Sequence, residues 1–288
     1  MKAVFRHELT SHFTSLSGYV FGAFLLLFAG IYTLANNINA LYVNFEYTLG
    51  SMTMVYIIAV PILTMRVISE ERRQKTDQLL YSLPLTTADV VLGKYGALLV
   101  TLLLPTVIIG LYPVLLSAYG NVNLACSLGT LLAFFLLGGA LLSIGMFISS
   151  ITESQAVAAG ICFVVMLINY FIADLAGFVA STAFASYIAF AILVLLAVGL
   201  FYLMTKNGFA SLVLCAVAEA GLLVFFMVSE ESFTGAFPAL MEKLSLFEQF
   251  YVFVNGTFDL TAVVYLLSVS ALFVYLTIQS MEKRRWSE

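Results

Sequence analysis

The 288-residue chain is 62% hydrophobic and 10% charged, with mean hydropathy +1.06 and a net charge of −4. Soluble domains carry about 25% charged residues, and a soluble fold of this length would leave much of so apolar a composition in contact with water. Apolar runs of 18 or more residues read as transmembrane helices, and the alternating segments of about ten residues that mark an outer-membrane barrel are absent. The expected fold class is all-α, a polytopic membrane protein. Cys126, Cys162 and Cys215 lie far apart inside apolar runs, without the paired spacing of a disulfide framework or metal site, and read as small packing residues. With only two histidines, His7 and His12, zinc binding or histidine-based catalysis is not expected.

In chain order, residues 2–16 place Phe5, Leu9, Phe13 and Leu16 at helical spacing among Lys2, Arg6, Glu8 and His12. That pattern predicts an amphipathic helix at the membrane surface. The apolar run from Gly18 to Leu34 exceeds a signal-peptide h-region of about 7–15 residues and reads as a retained first span. Asn36, Asn37, Asn39, Asn44 and Glu46 suggest a short polar loop before a second span, Tyr47–Met65. A polar insert, Arg66–Lys94, leads to a third span, Tyr95–Tyr119, which Pro105 and Pro113 should kink. A fourth span, Leu124–Ile148, carries Gly138, Gly139, Ser143 and Gly145, small residues that let helices approach closely. After the loop Ser149–Gln155 comes a fifth, Ala156–Ala173. The runs 186–205 and 209–228, separated by Lys206, Asn207 and Gly208, read as a hairpin across the bilayer. Residues 229–259 are polar, with an amphipathic stretch Phe237–Val254, and the last span is Leu260–Ile278.

These are eight spans, or six if the 186–228 hairpin does not cross fully. An N-terminus in the cytoplasm puts eleven of the twelve basic residues inside, all but Lys243, as the positive-inside rule favours. Both termini are then cytoplasmic, and so is the insert.

The insert holds nine charged residues. Residues 70–82 are good helix formers, with Glu71 and Lys75 at i,i+4. Leu79, Leu80 and Leu83 give the predicted helix an apolar end, and Pro84 stops it. Thr86 with Asp89 fits a capping box that opens the next helix. A passive connector needs only a handful of residues; a charged helix with an apolar end suits docking to a partner, and a solvated loop is the plainer alternative.

The stretch PILTMRVISEERRQKTDQLLYSLPLTTADVVLGKY, Pro61–Tyr95, resembles the coupling segment of ABC-2 type exporter permeases, above all the gliding-motility-associated, GldF-like branch. FISSITESQAVA (Phe147–Ala158), the C-terminal stretch Gly256–Trp286 and the opening FRHELTSHFTSLSGYVF are similar to the same family, in the same order. The chain departs from it at Lys75, Thr76, Asp77 and Gln78, where Gly-Thr-Leu-Glu is frequent, and at Leu16, where a Pro is common.

The resemblance implies one permease domain over 1–288, a multi-pass protein of a bacterial plasma (inner) membrane. It implies that ATP and Mg are bound by a separate ABC ATPase subunit. This chain has no GxxxxGK[ST] phosphate loop and is expected to hold no cofactor and to be no enzyme itself. Glu70, Glu71, Arg72, Arg73, Thr76, Leu79 and Leu80 are the expected ATPase-coupling residues, with Ser150 and Glu153 a smaller second contact. A second permease copy or a related permease, membrane lipid and an accessory extracytoplasmic subunit are further implied partners; nucleic acid is not.

Glu219 is the ionisable group deep in a span. A charge there costs roughly 2.5–3.5 kcal/mol on insertion scales, so an intramembrane acid is a functional candidate by default; the plainer reading is a protonated side chain bonded to a neighbouring helix. Asp174, Asp259, Glu230 and Glu231 read as solvated. A secondary transporter would show more intramembrane charge or repeated broken helices, and an intramembrane enzyme would show a nucleophile–base or metal constellation. The alternative that remains is a membrane anchor or mechanical subunit of a motility or secretion assembly.

Overall fold

The computed structural model describes residues 1–75, 86–205 and 207–287. They form helices: α1 (Lys2–Thr14), α2 (Leu16–Tyr32), α3 (Phe45–Thr64), α4 (Ser69–Gln74), α5 (Thr87–Ile109), α6 (Leu111–Leu116), α7 (Leu124–Ile151), α8 (Gln155–Ala176), α9 (Ala183–Thr205), α10 (Gly208–Val228), α11 (Glu230–Phe233), α12 (Ala236–Leu244), α13 (Leu246–Val254) and α14 (Leu260–Ser287). Among the described residues, seven helices are long and apolar enough to cross a membrane: those at Leu16–Asn39, Phe45–Gln74, Thr87–Leu116, Leu124–Ile151, Gln155–Ala176, Gly208–Val228 and Leu260–Arg284. They coincide with seven of the expected spans. The eighth, 186–205, falls on α9, which carries a shorter apolar stretch, Ala183–Gly199.

The chain divides into two compact units, 1–168 with 249–288, and 169–248. In the first, α7 is the central helix and packs against α3, α5 and α14. Lipid tails are as apolar as leucine, so close fit rather than apolar burial holds such helices together. Two glycines supply that fit. A Cβ on Gly138 would lie 2.8 Å from Tyr56 Oη and 2.7 Å from Leu102 Cδ2, and one on Gly145 would collide with Thr64. Tyr56 stacks on Phe134 at 4.5 Å between ring centroids and donates to the Phe134 carbonyl (3.2 Å). In lipid such a hydroxyl needs a partner, because no water reaches it.

The same unit corrects several boundaries. The first span does not end in a polar loop: a π-helix, Thr33–Asn39, carries it through Asn36, Asn37 and Asn39. Asn37 is buried and takes over the polar work of the turn, donating to Tyr42 O (2.8 Å) and accepting from Thr48 Oγ1 (2.7 Å). Glu46 is also inside, 3% exposed in the first turn of α3, and accepts from Ser127 Oγ at 2.7 Å. That hydrogen bond ties the start of α3 to α7.

The third span starts at Thr87, not Tyr95. Thr86 caps it as the spacing predicted: Asp89 N–H donates to Thr86 Oγ1 (3.1 Å), and the threonine hydroxyl donates to Asp89 Oδ2 (2.7 Å). The kink expected from the prolines appears as a break at Gly110 between α5 and α6. Pro113 has no N–H to give Ile109, its i−4 partner, so the ladder opens there. Pro105 stays within α5.

In the second unit, α9 and α10 pack side by side, and α11 and α12 fold onto α9. Phe233 is the centre, 4% exposed, with Phe190, Phe225 and Phe226 at centroid distances of 6.0, 5.4 and 5.4 Å. Gly235 permits the turn into α12 at φ +70°, a left-handed conformation that glycine adopts without a Cβ clash. The amphipathic stretch Phe237–Val254 is not one helix. It is split at Ser245, where Asn169 receives the Leu246 N–H (3.0 Å) and donates to Leu244 O (3.1 Å).

Candidate functional site

The helix expected over 70–82 is described only as far as Lys75; residues 76–82, with Leu83 and Pro84, lie outside the described residues. The helix, α4, covers Ser69–Gln74 and stops at Lys75, which takes a left-handed conformation (φ +56°). A non-glycine residue in that region is uncommon and pays a steric cost; the Lys75 N–H closes the turn onto Arg72 O and Glu71 O. Thr76, Leu79 and Leu80 lie outside the described residues.

The anchor of this region is Lys94, on the second turn of α5 and 1% exposed. Its ammonium donates to Glu8 Oε1 of α1 (2.7 Å), Glu71 Oε1 of α4 (2.7 Å) and the Val67 carbonyl (3.0 Å). An ammonium has three protons to give, and each has an acceptor. A buried cation is tolerated when it is paired and fully hydrogen-bonded. Three segments far apart in sequence thereby share one charge: the N-terminal helix, α4 and the third span. Small residues let α1 come close to α5, since a Cβ on Gly93 would lie 3.1 Å from Val4.

Serine contacts fix the other side. Ser149, at the end of α7, is fully buried and accepts from Ile68 N–H (3.2 Å) and Ser69 N–H (3.1 Å). These are N-terminal amides of α4 that have no acceptor within that helix. Ser280 of α14 donates to Ser150 O (3.4 Å), Thr87 donates to Glu282 Oε1 (2.8 Å), and Arg284 reaches Glu153 (3.2 Å). The amino terminus lies 3.6 Å from Asp89. His12, on α1 beside this cluster, is held below the usual histidine range chiefly by burial, with Lys94 pushing the same way and Glu8 opposing.

The expected coupling residues therefore occupy different environments. Arg73 is exposed; Glu70 is half-buried and accepts from Gln74 Nε2 (3.3 Å). Arg72 is 8% exposed, and Glu71 is engaged by Lys94. Ser150 is buried, while Glu153 is exposed and paired with Arg284. Glu219 belongs to the second unit, on α10, and its Oε1 is buried with no hydrogen-bond partner among the described residues. The cysteines are free thiols, and no group of three or more metal-ligating side chains occurs among the described residues.

Sequence reasoning did not single out Lys94 or Glu8. Lys94 stood only as the end of the insert and Glu8 as one polar residue of an amphipathic helix. A signal was present: Lys94 is the lone cation between Asp89 and Asn121, two turns inside an apolar helix, and such a residue calls for a named partner.

The long apolar helices, joined through a short charged helix between two of them, make this a multi-pass membrane protein. The chain matches the family model of the ABC-2 family transporter proteins over residues 3–281. It belongs to that family, and is a transmembrane permease component of an ABC transporter. No curated protein matches it.

Proposed function

We propose that the chain is the permease subunit of an ATP-binding-cassette exporter, of the gliding-motility-associated GldF-like branch, in the plasma membrane of a bacterium. Both termini and α4 face the cytoplasm. ATP and Mg are bound by a separate ATPase subunit, which seats on the α4 end of the protein, and a second permease completes the path.

The observation that carries this reading is the Lys94 cluster. A push on α4 is passed through Glu71 to Lys94 and so to the third span, and through Glu8 to α1. A docking helix must be stiffly joined to the spans it moves, and a buried, fully hydrogen-bonded ion cluster is a stiff joint. Arg73 and Glu70 are the α4 charges left at the surface for a partner. Ser150 and Glu153 contribute indirectly, by tying α7 to α14.

Charge reversal of the surface pair, Glu70→Lys with Arg73→Glu, tests it. The variant is expected to lose the copurifying ATPase subunit, or to keep it with hydrolysis no longer tied to transport. Normal copurification and normal transport would overturn the docking reading.

A further inference from the structure

The N-terminal helix carries a charge that its surroundings leave unbalanced. α1 packs against α5 and α2. α2 has no charged residue, and α5 has Asp89 and Lys94. Both acids of this group of helices are engaged, Glu8 by Lys94 and Asp89 by the amino terminus. The next acid along the chain is Glu46, which is buried against Ser127. Lys2 and Arg6 are exposed, and neither has an acidic partner among the described residues.

These two cations sit on a particular stripe. Lys2, Arg6, Leu9 and Phe13 follow at i, i+4, i+7 and i+11, the spacing of one helix face. The first half of the stripe is cationic and exposed; the second is apolar and half-buried, with Phe13 edge-on to Tyr19 of α2 at 5.5 Å. Ser15 alone separates α1 from the first span. Its extended backbone (φ −82°, ψ 147°) turns the chain. A Cβ on Gly18 would lie 2.7 Å from His12 O, so α2 sets off close against the end of α1. Leu16 and Tyr19 stand exposed at that corner, where the span has to meet lipid, and the stripe runs from there along the membrane boundary.

Charge and polarity choose the occupant. A helix with cations beside Leu and Phe lies in the plane of the interface, and the apolar stems of Lys and Arg let their heads reach the phosphates. An acidic protein would satisfy the cations and leave Leu9 and Phe13 without a match. A phospholipid meets both halves at once.

We propose that the Lys2–Arg6–Leu9–Phe13 stripe is a contact selective for anionic phospholipid: Lys2 and Arg6 donate to the headgroup phosphate, and Leu9 and Phe13 lie against the acyl chains. The coupling reading uses Glu8, on another face of α1, so this inference survives its failure.

The test uses the full chain in nanodiscs of phosphatidylcholine. They are doped with a phospholipid whose diazirine sits on one acyl chain near the glycerol, supplied as phosphatidylglycerol or, in equal amount, as phosphatidylcholine. After irradiation and pepsin digestion, labels are mapped by mass spectrometry. The phosphatidylglycerol-to-phosphatidylcholine labelling ratio over 2–19 is compared with that over 260–275, a stretch without charge that exposes Val264, Leu267, Leu272 and Tyr275. One Lys or Arg near an anionic surface contributes about fivefold, so the first ratio is expected to exceed the second about fivefold or more. Lys2→Gln with Arg6→Gln, both at exposed positions, is expected to make the two ratios equal, whereas Lys2→Arg with Arg6→Lys is expected to keep the excess. Equal ratios in the parent overturn the proposal and leave the cations to a protein partner. An excess that the double glutamine variant retains, or that the charge-keeping swap loses, overturns it as well.

Discussion

Replacing Lys94 by methionine keeps the length of the side chain and removes its charge. Glu8 and Glu71 would then face each other and the Val67 carbonyl with no cation between them. Removing one partner of a buried pair costs about 3–5 kcal/mol, because a buried charge is left uncompensated. The two carboxylates are 15% and 23% exposed, so part of their hydration is recoverable and the low end, about 3 kcal/mol, applies. At roughly 2–4 °C per kcal/mol for a chain of a few hundred residues, Lys94→Met should lower the melting temperature by about 6–12 °C. Thermal unfolding of the purified protein in detergent, followed by tryptophan fluorescence or by aggregation, reads this out. The triple variant Glu8→Gln, Glu71→Gln, Lys94→Met removes all three charges and should recover more than half of the loss, since a buried ion cluster replaced as a whole is often close to neutral. A single variant within about 1 °C of the parent, or a triple variant worse than the single, would refute the idea that one buried charge joins α1, α4 and α5.

Three further outcomes follow from the same geometry. Ser149→Ala removes the acceptor of two backbone amides, Ile68 and Ser69, and should cost about 1–3 kcal/mol, read as a lower melting temperature and faster proteolysis near α4. Gly145→Val, which would collide with Thr64, should abolish recovery of folded protein, whereas Gly160→Ala, where a Cβ meets nothing within 4 Å, should be neutral or stabilising by about 0.5–1 kcal/mol; size-exclusion profiles distinguish the two. His12 is depressed in the folded state by burial. Between the ordinary histidine value of about 6.5 and its depressed folded value, the unfolded chain binds more protons. Stability should therefore fall as pH drops through that window, with the full contribution present above it. A melting-temperature series from pH 8 to 5 should be flatter in His12→Gln than in the parent.

The spans were legible because long apolar runs have no other stable solution in one chain: 124–148 and 260–278 sit within α7 and α14, and 47–65 overruns α3 by one residue, its C-cap Met65. So were the Thr86 cap and the close-packing glycines of α7, since both depend on residue type at fixed spacing. Ends were harder. The capped helix that begins at Thr87 passes through polar residues before its apolar run starts, and Asn36–Asn39 look like a loop although a π-helix extends through them. The buried polar groups of Glu46 and Lys94 were missed because their partners, Ser127, Glu8 and Glu71, are brought to them by packing across 81, 86 and 23 residues. No local pattern carries such pairings. The short α4 has a related cause: good helix formers continue past Lys75, but the tertiary joint at Glu71 and the left-handed turn set the boundary.

The central claim is that α4 is the cytoplasmic handle of a permease worked by another subunit. Its most direct test is the side of the membrane on which Arg73 lies. With Cys126, Cys162 and Cys215 replaced by alanine, Arg73→Cys is treated with a membrane-impermeant maleimide in intact cells and again after the membrane is opened. Labelling only after opening is the predicted result; labelling of Arg73→Cys in intact cells would contradict the account.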